Sequence, residues 1–414
     1  MKRGKLAFLT GTHIVNDLYQ GAVPALLPFL MSQRHYSYTA VSGLALAASG
    51  LSSVVQPLFG LLVDRRPRDW LVPAGFLTAA AGITGAGLAD GYLLTWLCAA
   101  LAGIGIAAYH PAATSQARAA GGQSQRAMSL FSVGGTLGAS LAPALVTLVV
   151  GGYGLRGSWL LAVPALVTAA LWAVQGLRQR DRTPAGPATA RAAAASTHRD
   201  DWRAFGRLVA TTVAWSVPYV TVTSMLALHI QRDLHGSTGT GAAALTLLTL
   251  AGAAGTLLGG WLGDRYGRLA PIRAGYLLAV PALAAVVLAP SVAVAVTGAV
   301  AFGLAMFLPF APQVTLAQDY LPTRPGTASG LTLGLAMSVG GLAAPALGGL
   351  ADAHGLRTVL ALVLGVLAVA LGCALRLRDR VLTEPEPGAR EPGAGIGAGP
   401  AAEPVTRGAA PRGR

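Results

Sequence analysis

Charged side chains are scarce in this chain of 414 residues. They make up 11% of it, where a soluble domain carries roughly 25%. Lysine is confined to Lys2 and Lys5, and Asn16 is the sole asparagine. That shortage excludes an ordinary soluble enzyme, whose surface depends on charge for solvation. Cysteine is equally rare: Cys98 and Cys373 both sit in apolar stretches, which leaves neither a disulfide framework nor a cysteine metal centre. A cleavable leader is not expected. The first apolar stretch follows Lys2, Arg3 and Lys5 but is too long for a signal core and contains Asp17. The bias toward Ala, Gly, Arg and Pro points to a GC-rich, bacterial genome.

What the chain has instead is apolar length. Hydrophobic residues are 53% of it, the mean hydropathy is +0.57, and there are 54 glycines. A membrane helix needs about 20 mostly apolar residues. Twelve such stretches are present, at 6–31, 39–63, 70–89, 92–117, 127–150, 157–177, 205–230, 238–262, 271–289, 292–317, 327–350 and 357–377. The breaks between them are short except at 178–204, a stretch rich in Arg, Ala, Thr and Pro. The expected fold is an all-α polytopic membrane protein in which residues 1–177 form one six-helix bundle and 205–380 a second. Residues 178–204 then form a flexible cytoplasmic linker, and 381–414, mostly Pro, Gly, Ala and Glu, a disordered cytoplasmic tail.

The net charge of +14 could suggest nucleic acid, but its distribution argues for topology. With the N-terminus inside, the outer connections hold only Arg34, Arg156, Arg232 and Arg357 of the 30 basic residues. All the others fall on the cytoplasmic side, as the positive-inside rule requires. The expected location is the cell inner membrane, with both termini cytoplasmic, and no nucleic-acid partner is expected.

An internal repeat divides the chain. Gly60-Leu61-Leu62-Val63-Asp64-Arg65-Arg66-Pro67-Arg68 ends the second span, and Gly260-Trp261-Leu262-Gly263-Asp264-Arg265-Tyr266-Gly267-Arg268 ends the eighth. Gly138 and Pro143 in the fifth span match Gly340 and Pro345 in the eleventh, and Pro111 in the fourth matches Pro312 in the tenth. Equivalent copies face the same side, so the halves are a parallel repeat related by a pseudo-two-fold axis along the membrane normal. Gly134, Gly138, Pro143, Gly340 and Pro345, with Gly135 and Gly341, are read as helix-packing sites, the glycines permitting close approach.

These motifs resemble those of the major facilitator superfamily, over about residues 5–380. His13-x-x-Asn16-Asp17-x-x-Gln20, Tyr109-His110-Pro111 and Gly134-Gly135-x-x-Gly138 with Pro143 are similar to the fosmidomycin-resistance group of drug exporters. The resemblance implies a rocking two-bundle carrier with spans 1, 4, 7 and 10 lining a central cavity. It also implies a cytoplasmic gating latch at Asp64, Arg65, Arg68, Asp264, Arg265 and Arg268. The bland alternative for these six is topogenic charge alone.

Asp17 is the strongest single candidate, because it alone of the 16 acids is placed deep in a span. It lies about 12 residues, roughly 18 Å, from the cytoplasmic start. A desolvated carboxylate resists holding its charge and exchanges protons. The spans hold no Lys or Arg to pair with it. His13, Asn16, Asp17 and Gln20 share one helical face, which must meet protein or a wet cavity because unsatisfied polar groups in lipid cost several kcal/mol. His110 stands at a similar height in span 4. Asp17, His13 and His110 are therefore the proton-coupling candidates. Asn16, Gln20 and Tyr109, with Trp215, Tyr219, Thr223, Phe310 and Gln313 of the second half, are the substrate-cavity candidates. Interhelical packing is the alternative for each aromatic singly. Neither metal nor cofactor is expected, since His13 and His110 lack a third ligand unless Asp17 serves.

The expected function is proton-coupled export of small drugs or metabolites by alternating access, in a monomer. Its partners are a small-molecule substrate, protons and the lipid bilayer. The rival within transport is a proton symporter or uniporter importing an organic acid or sugar. A polytopic membrane enzyme would need an interfacial acid/base or metal cluster, for which the loops are too short. A sensor would need a folded cytoplasmic domain.

Overall fold

In hydrocarbon a backbone can hydrogen-bond only to itself, so each long apolar run closes into a helix. The computed structural model describes residues 2–36, 38–65, 68–180 and 199–380. The helices in chain order are α1 (Arg3–Arg34), α2 (Tyr38–Arg65), α3 (Leu71–Leu88), α4 (Tyr92–Gly121), α5 (Gln125–Tyr153), α6 (Val163–Arg180), α7 (Trp202–Arg232), α8 (Thr238–Tyr266), α9 (Leu269–Val287), α10 (Val292–Phe307), α11 (Phe310–Tyr320), α12 (Pro325–His354) and α13 (Leu356–Leu375). They make twelve membrane-spanning segments. Eleven qualify by length and apolar composition. The twelfth is α1, whose 32 residues are interrupted by His13, Asn16 and Asp17.

Two spans depart from the single helices expected. The tenth is broken between α10 and α11 at Leu308 and Pro309. A proline lacks the N–H that a helix interior needs, and here Pro309 and Pro312 fall close together, whereas α4 carries Pro111 alone and stays continuous. The sixth begins with a 3-10 segment, Leu155–Ala162, before α6. Of the stretch 178–204, residues 181–198 lie outside the described residues, as does the tail 381–414.

Most buried apolar side chains gather into two cores. One draws on residues from Leu6 to Ala165, joined by Ala311. The other draws on residues from Phe205 to Leu377. Small residues set the helix spacing within each. A Cβ on Gly138 would stand 2.1 Å from the Ile14 carbonyl oxygen, and one on Gly134 2.8 Å from that of Thr10, so α5 lies hard against α1. In the second half a Cβ on Gly340 would stand 2.4 Å from the Ser216 carbonyl oxygen, and the Gly340 N–H donates to Ser216 Oγ at 2.9 Å. The repeat thus presses α12 on α7 as it presses α5 on α1. Gly341 has open space around it and is no packing site. Pro143 and Pro345 sit inside α5 and α12 with exposed rings.

On the arginine-rich side α4, α5 and α12 extend two to four residues beyond the apolar runs, and this places Arg118, Gln125 and Gly326 within helices. Ser124 caps α5, its Oγ accepting from the Ala127 N–H at 3.2 Å. Gly267, at φ +82°, closes α8 in a conformation that a side chain would strain, and turns the chain to Arg268.

Candidate functional site

The polar stripe of α1 meets α4 and α5 in one buried cluster. His13 Nε2 lies 3.3 Å from Asp17 Oδ2, one helical turn away on α1. His110 Nε2, from α4, lies 3.2 Å from Asp17 Oδ1. The other ring nitrogens are both committed. His13 Nδ1 is 2.8 Å from the Phe131 carbonyl of α5, and His110 Nδ1 is 2.9 Å from the Ile106 carbonyl. A carbonyl only accepts, so each Nδ1 carries a hydrogen and each Nε2 is left to face the carboxylate. His110 thus bonds a carbonyl of its own helix and also pairs with Asp17.

The chemistry of the cluster follows from counting protons. Each contact between Nε2 and Oδ is a hydrogen bond only if a proton sits in it, owned by imidazole or carboxyl. Two exchangeable protons therefore fit. With both present the cluster carries one positive charge; with one it is neutral; with none it is a bare carboxylate among lone pairs. Among the described residues no Lys or Arg contacts Asp17. Asp17 and His110 keep 13% and 12% of their side-chain surface exposed.

Neighbours fix this geometry. Asn16 Nδ2 donates to Asp17 Oδ1 at 2.9 Å, while Asn16 Oδ1 is buried with no partner. A Cβ on Gly135 would fall 2.3 Å from Asp17 Oδ2 and 2.7 Å from His13 Nε2. Gly135, read from sequence only as a packing residue, is thus the floor of the cluster. Phe131 stacks on the His13 ring at 4.3 Å between centroids. Tyr109 is fully buried rather than cavity-facing, its hydroxyl 2.8 Å from Thr12 Oγ1. Gln20, though on the same stripe, is exposed and stands apart from the cluster. Tyr19, off the stripe, ties α1 to the sixth span by donating to the Leu161 carbonyl at 2.9 Å.

The second-half candidates form an aromatic group. Trp215 and Tyr219 stack at 4.9 Å, Phe307 packs edge-on to both, and Phe310 lies 5.7 Å from Phe307. Trp215, Phe310 and Gln313 line a small cavity with Thr212, Val314 and Thr332. Their donors are largely spent inside the protein. Trp215 Nε1 donates to the Met306 carbonyl, Gln313 Nε2 to Tyr276 Oη, and Thr223 Oγ1 to the Tyr219 carbonyl.

The six residues of the repeated motif divide by role. Asp64 accepts from the N–H groups of Gly326 and Thr327 at 2.6 and 2.7 Å, capping α12. Asp264 accepts from those of Gln125 and Arg126 and from Ser124 Oγ, capping α5. Each aspartate of one half therefore holds a helix N-terminus of the other, where the helix dipole favours an anion. Arg268 is buried and bonds Asp319 at 2.5 Å and Asp379 at 2.8 Å. Arg265 instead lies over the Tyr266 ring, and Arg65 and Arg68 make no ion pair among the described residues. Asp319 and Arg118, which pair at 3.1 Å, are absent from the sequence reading. Asp319 is 4% exposed, so Asp17 is not the sole buried acid.

Comparison with known proteins follows the same lines. Residues 9–345 match the Major Facilitator Superfamily. The chain is 31% identical over 380 residues to an uncharacterized MFS-type transporter, YfnC, of Bacillus subtilis, covering 89% of this chain and 92% of that protein. It is 30% identical over 359 residues to the fosmidomycin resistance protein of Escherichia coli, covering 84% and 86%. Among solved structures it is similar to the E. coli fucose:proton symporter FucP, with a TM-score of 0.72 at 16% identity, over 90% of this chain and 98% of that one. A second FucP structure, in the outward conformation, gives 0.71 at 17%, with the same coverage. At such identity the likeness is one of fold.

Proposed function

The chain belongs to the Major Facilitator Superfamily, and from that premise we propose that it couples small-molecule transport to protons carried by the His13–Asp17–His110 cluster. It is a multi-pass transporter of the bacterial inner-membrane type and not an enzyme. The observation that supports proton coupling is the placement of one carboxylate between two imidazoles whose remaining nitrogens are already bonded. Such a cluster gains or loses a proton without a lysine or arginine to fix its charge, and burial makes each charge state prefer a different surrounding. Rocking of the two bundles, 1–177 and 205–380, would alternate which side reaches it. The Asp64 and Asp264 caps and the Arg118–Asp319–Arg268 network would hold the cytoplasmic side shut in one half of the cycle. Substrate would enter between the cluster and the aromatic group of Trp215, Tyr219 and Phe310, which suits a molecule with an apolar face and a few hydrogen-bonding groups.

Two directions are open to this cycle. Proton symport of a sugar or small organic acid accords with the shared fold of the fucose:proton symporter. Export of a drug or metabolite accords with the sequence kinship to the fosmidomycin resistance protein. Both use the same cluster. The test is transport in proteoliposomes with an imposed pH gradient, screening sugars, organic acids, phosphonates and organic cations. Right-side-out and everted membrane vesicles then assign direction. A pH gradient that drives none of these in either orientation, with the protein folded and inserted, overturns proton coupling.

A further inference from the structure

We propose that the cluster of His13, Asp17 and His110 is also a binding site for a divalent transition-metal ion of the zinc class, which enters in exchange for two protons. This inference rests on the ligand geometry and not on the transport reading, so either can fail without the other.

Three donor side chains converge. One ligand atom from each of His13, Asp17 and His110 lies within 4.8 Å of the other two. The closest approaches, 3.3 Å from His13 Nε2 to Asp17 Oδ2 and 3.2 Å from His110 Nε2 to Asp17 Oδ1, are each the spacing of two ligands on one zinc ion, and the carboxylate would offer both oxygens to the ion or turn to offer one. Ligands about 2.0–2.1 Å from the metal at a tetrahedral angle stand roughly 3.3 Å apart. Sequence alone left the third ligand wanting, and the fold supplies it as Asp17.

The outer partners are those a metal-bound histidine uses. Such a histidine donates its second N–H to a carbonyl or carboxylate, which fixes the tautomer and leaves the other nitrogen's lone pair for the metal. His13 and His110 both do so, to the carbonyls of Phe131 and Ile106. Asp17 is likewise held by Asn16 Nδ2. His229 is the internal contrast. Its Nδ1 faces Asp233 and its Nε2 the Val286 carbonyl, so no nitrogen remains for an ion. The absent side chain of Gly135 keeps the space beside the ligand atoms open. Asn16 Oδ1, buried without a partner, offers an acceptor for a metal-bound water. Three protein ligands leave a fourth position for water, the pattern of an exchangeable site rather than a structural one.

Charge balance makes the exchange favourable in a buried place. Two imidazolium groups and a carboxylate sum to one positive charge. A divalent ion with two neutral imidazoles and a carboxylate sums to the same. Where both protons are present, the ion therefore replaces them without adding charge to the membrane interior. Imidazole and carboxylate together favour zinc, nickel or cobalt over magnesium and calcium.

The test is Co²⁺ binding to the purified full chain in detergent, with an affinity tag other than polyhistidine. The expected result is one ion per chain, with the intense visible absorption of low-coordinate cobalt, displaced by Zn²⁺. Proton release should rise toward two per ion as the pH is lowered. His13→Gln, His110→Gln and Asp17→Asn should each weaken binding by about 100-fold or more. Gln in place of the exposed His35, His235 and His354 should leave it unchanged. Absence of the cobalt absorption from the native chain, or binding that survives the three cluster substitutions, overturns the proposal. If a cluster variant does not fold, the native proton count decides. Less than one proton per ion across the acidic range counts against the site.

Discussion

Arg118 and Asp319 stand at equivalent positions of the two halves and pair with each other, Arg118 Nη2 lying 3.1 Å from Asp319 Oδ1. They are 201 residues apart, the same offset as Pro111 and Pro312. The repeat has placed opposite charges at one topological position, so the pseudo-symmetry itself brings them together near the cytoplasmic ends of α4 and α11. Arg268 also bonds Asp319, which leaves one buried acid between two arginines.

That asymmetry gives an ordered expectation. Asp319→Asn leaves Arg118 without an acid and Arg268 with Asp379 alone, while Arg118→Gln leaves the Arg268–Asp319 pair intact. Removing one partner of a buried pair costs about 3–5 kcal/mol, so Asp319→Asn should strongly populate the state open to the cytoplasm, and Arg118→Gln should do so less. Thiol labelling of single cysteines placed on either side checks the order. Equal labelling in both variants and the parent would remove the network from gating.

The capping aspartates should act more mildly. Replacing a capping residue costs about 0.5–2 kcal/mol, and about 1.4 kcal/mol changes an equilibrium tenfold. Asp64→Ala and Asp264→Ala should each shift the balance between the two states by about twofold to thirtyfold. Asp264→Asn, which keeps an acceptor oxygen, should shift it less. Substrate affinity, measured by displacement in detergent, should change little in all three.

Three glycines separate function from packing. Gly135→Ala puts a methyl where Asp17 Oδ2 and His13 Nε2 now stand, so pH-driven transport should fall steeply while the fold survives. Gly138→Ala drives a methyl into the Ile14 backbone, where overpacking costs about 1–3 kcal/mol, and its first effect should be a lowered melting temperature. Gly341→Ala meets nothing and should be neutral on both measures. A Gly135→Ala protein with full coupling would contradict the role given to that floor.

The two histidines should not act independently. Their rings lie 5.5 Å apart and share one carboxylate. Neighbours in one network couple by about 0.5–3 kcal/mol. His13→Gln and His110→Gln should each weaken pH-dependent transport, and the double variant should cost far less than the sum. Strict additivity would mean that the imidazoles titrate separately.

Much of this was legible in the sequence, and the parts that were not share a cause. Polar residues in an apolar run must find partners, so His13, Asn16, Asp17 and His110 announced themselves. The repeated Asp64 and Asp264 did so by position. Asp319 and Arg118 were hidden because each lies just past the apolar stretch and reads as an interfacial charge; their common offset with Pro111 and Pro312 was the signal available. The carbonyls of Phe131 and Ile106 cannot be read from side-chain identity at all, since every residue carries one. Gly135 looked like Gly134 and Gly138, and only the phase of α5 against α1 separates them. The break at Pro309 was missed because two helical pieces have the same apolar length as one.

The central claim is that Asp17 carries the coupled proton, and Asp17→Asn tests it most directly. Asparagine keeps the shape and one hydrogen-bonding oxygen but cannot exchange a proton. In proteoliposomes the variant should lose accumulation driven by a pH gradient while still exchanging labelled for unlabelled substrate across the bilayer. Gradient-driven accumulation at the parent level in the Asp17→Asn protein would contradict the account.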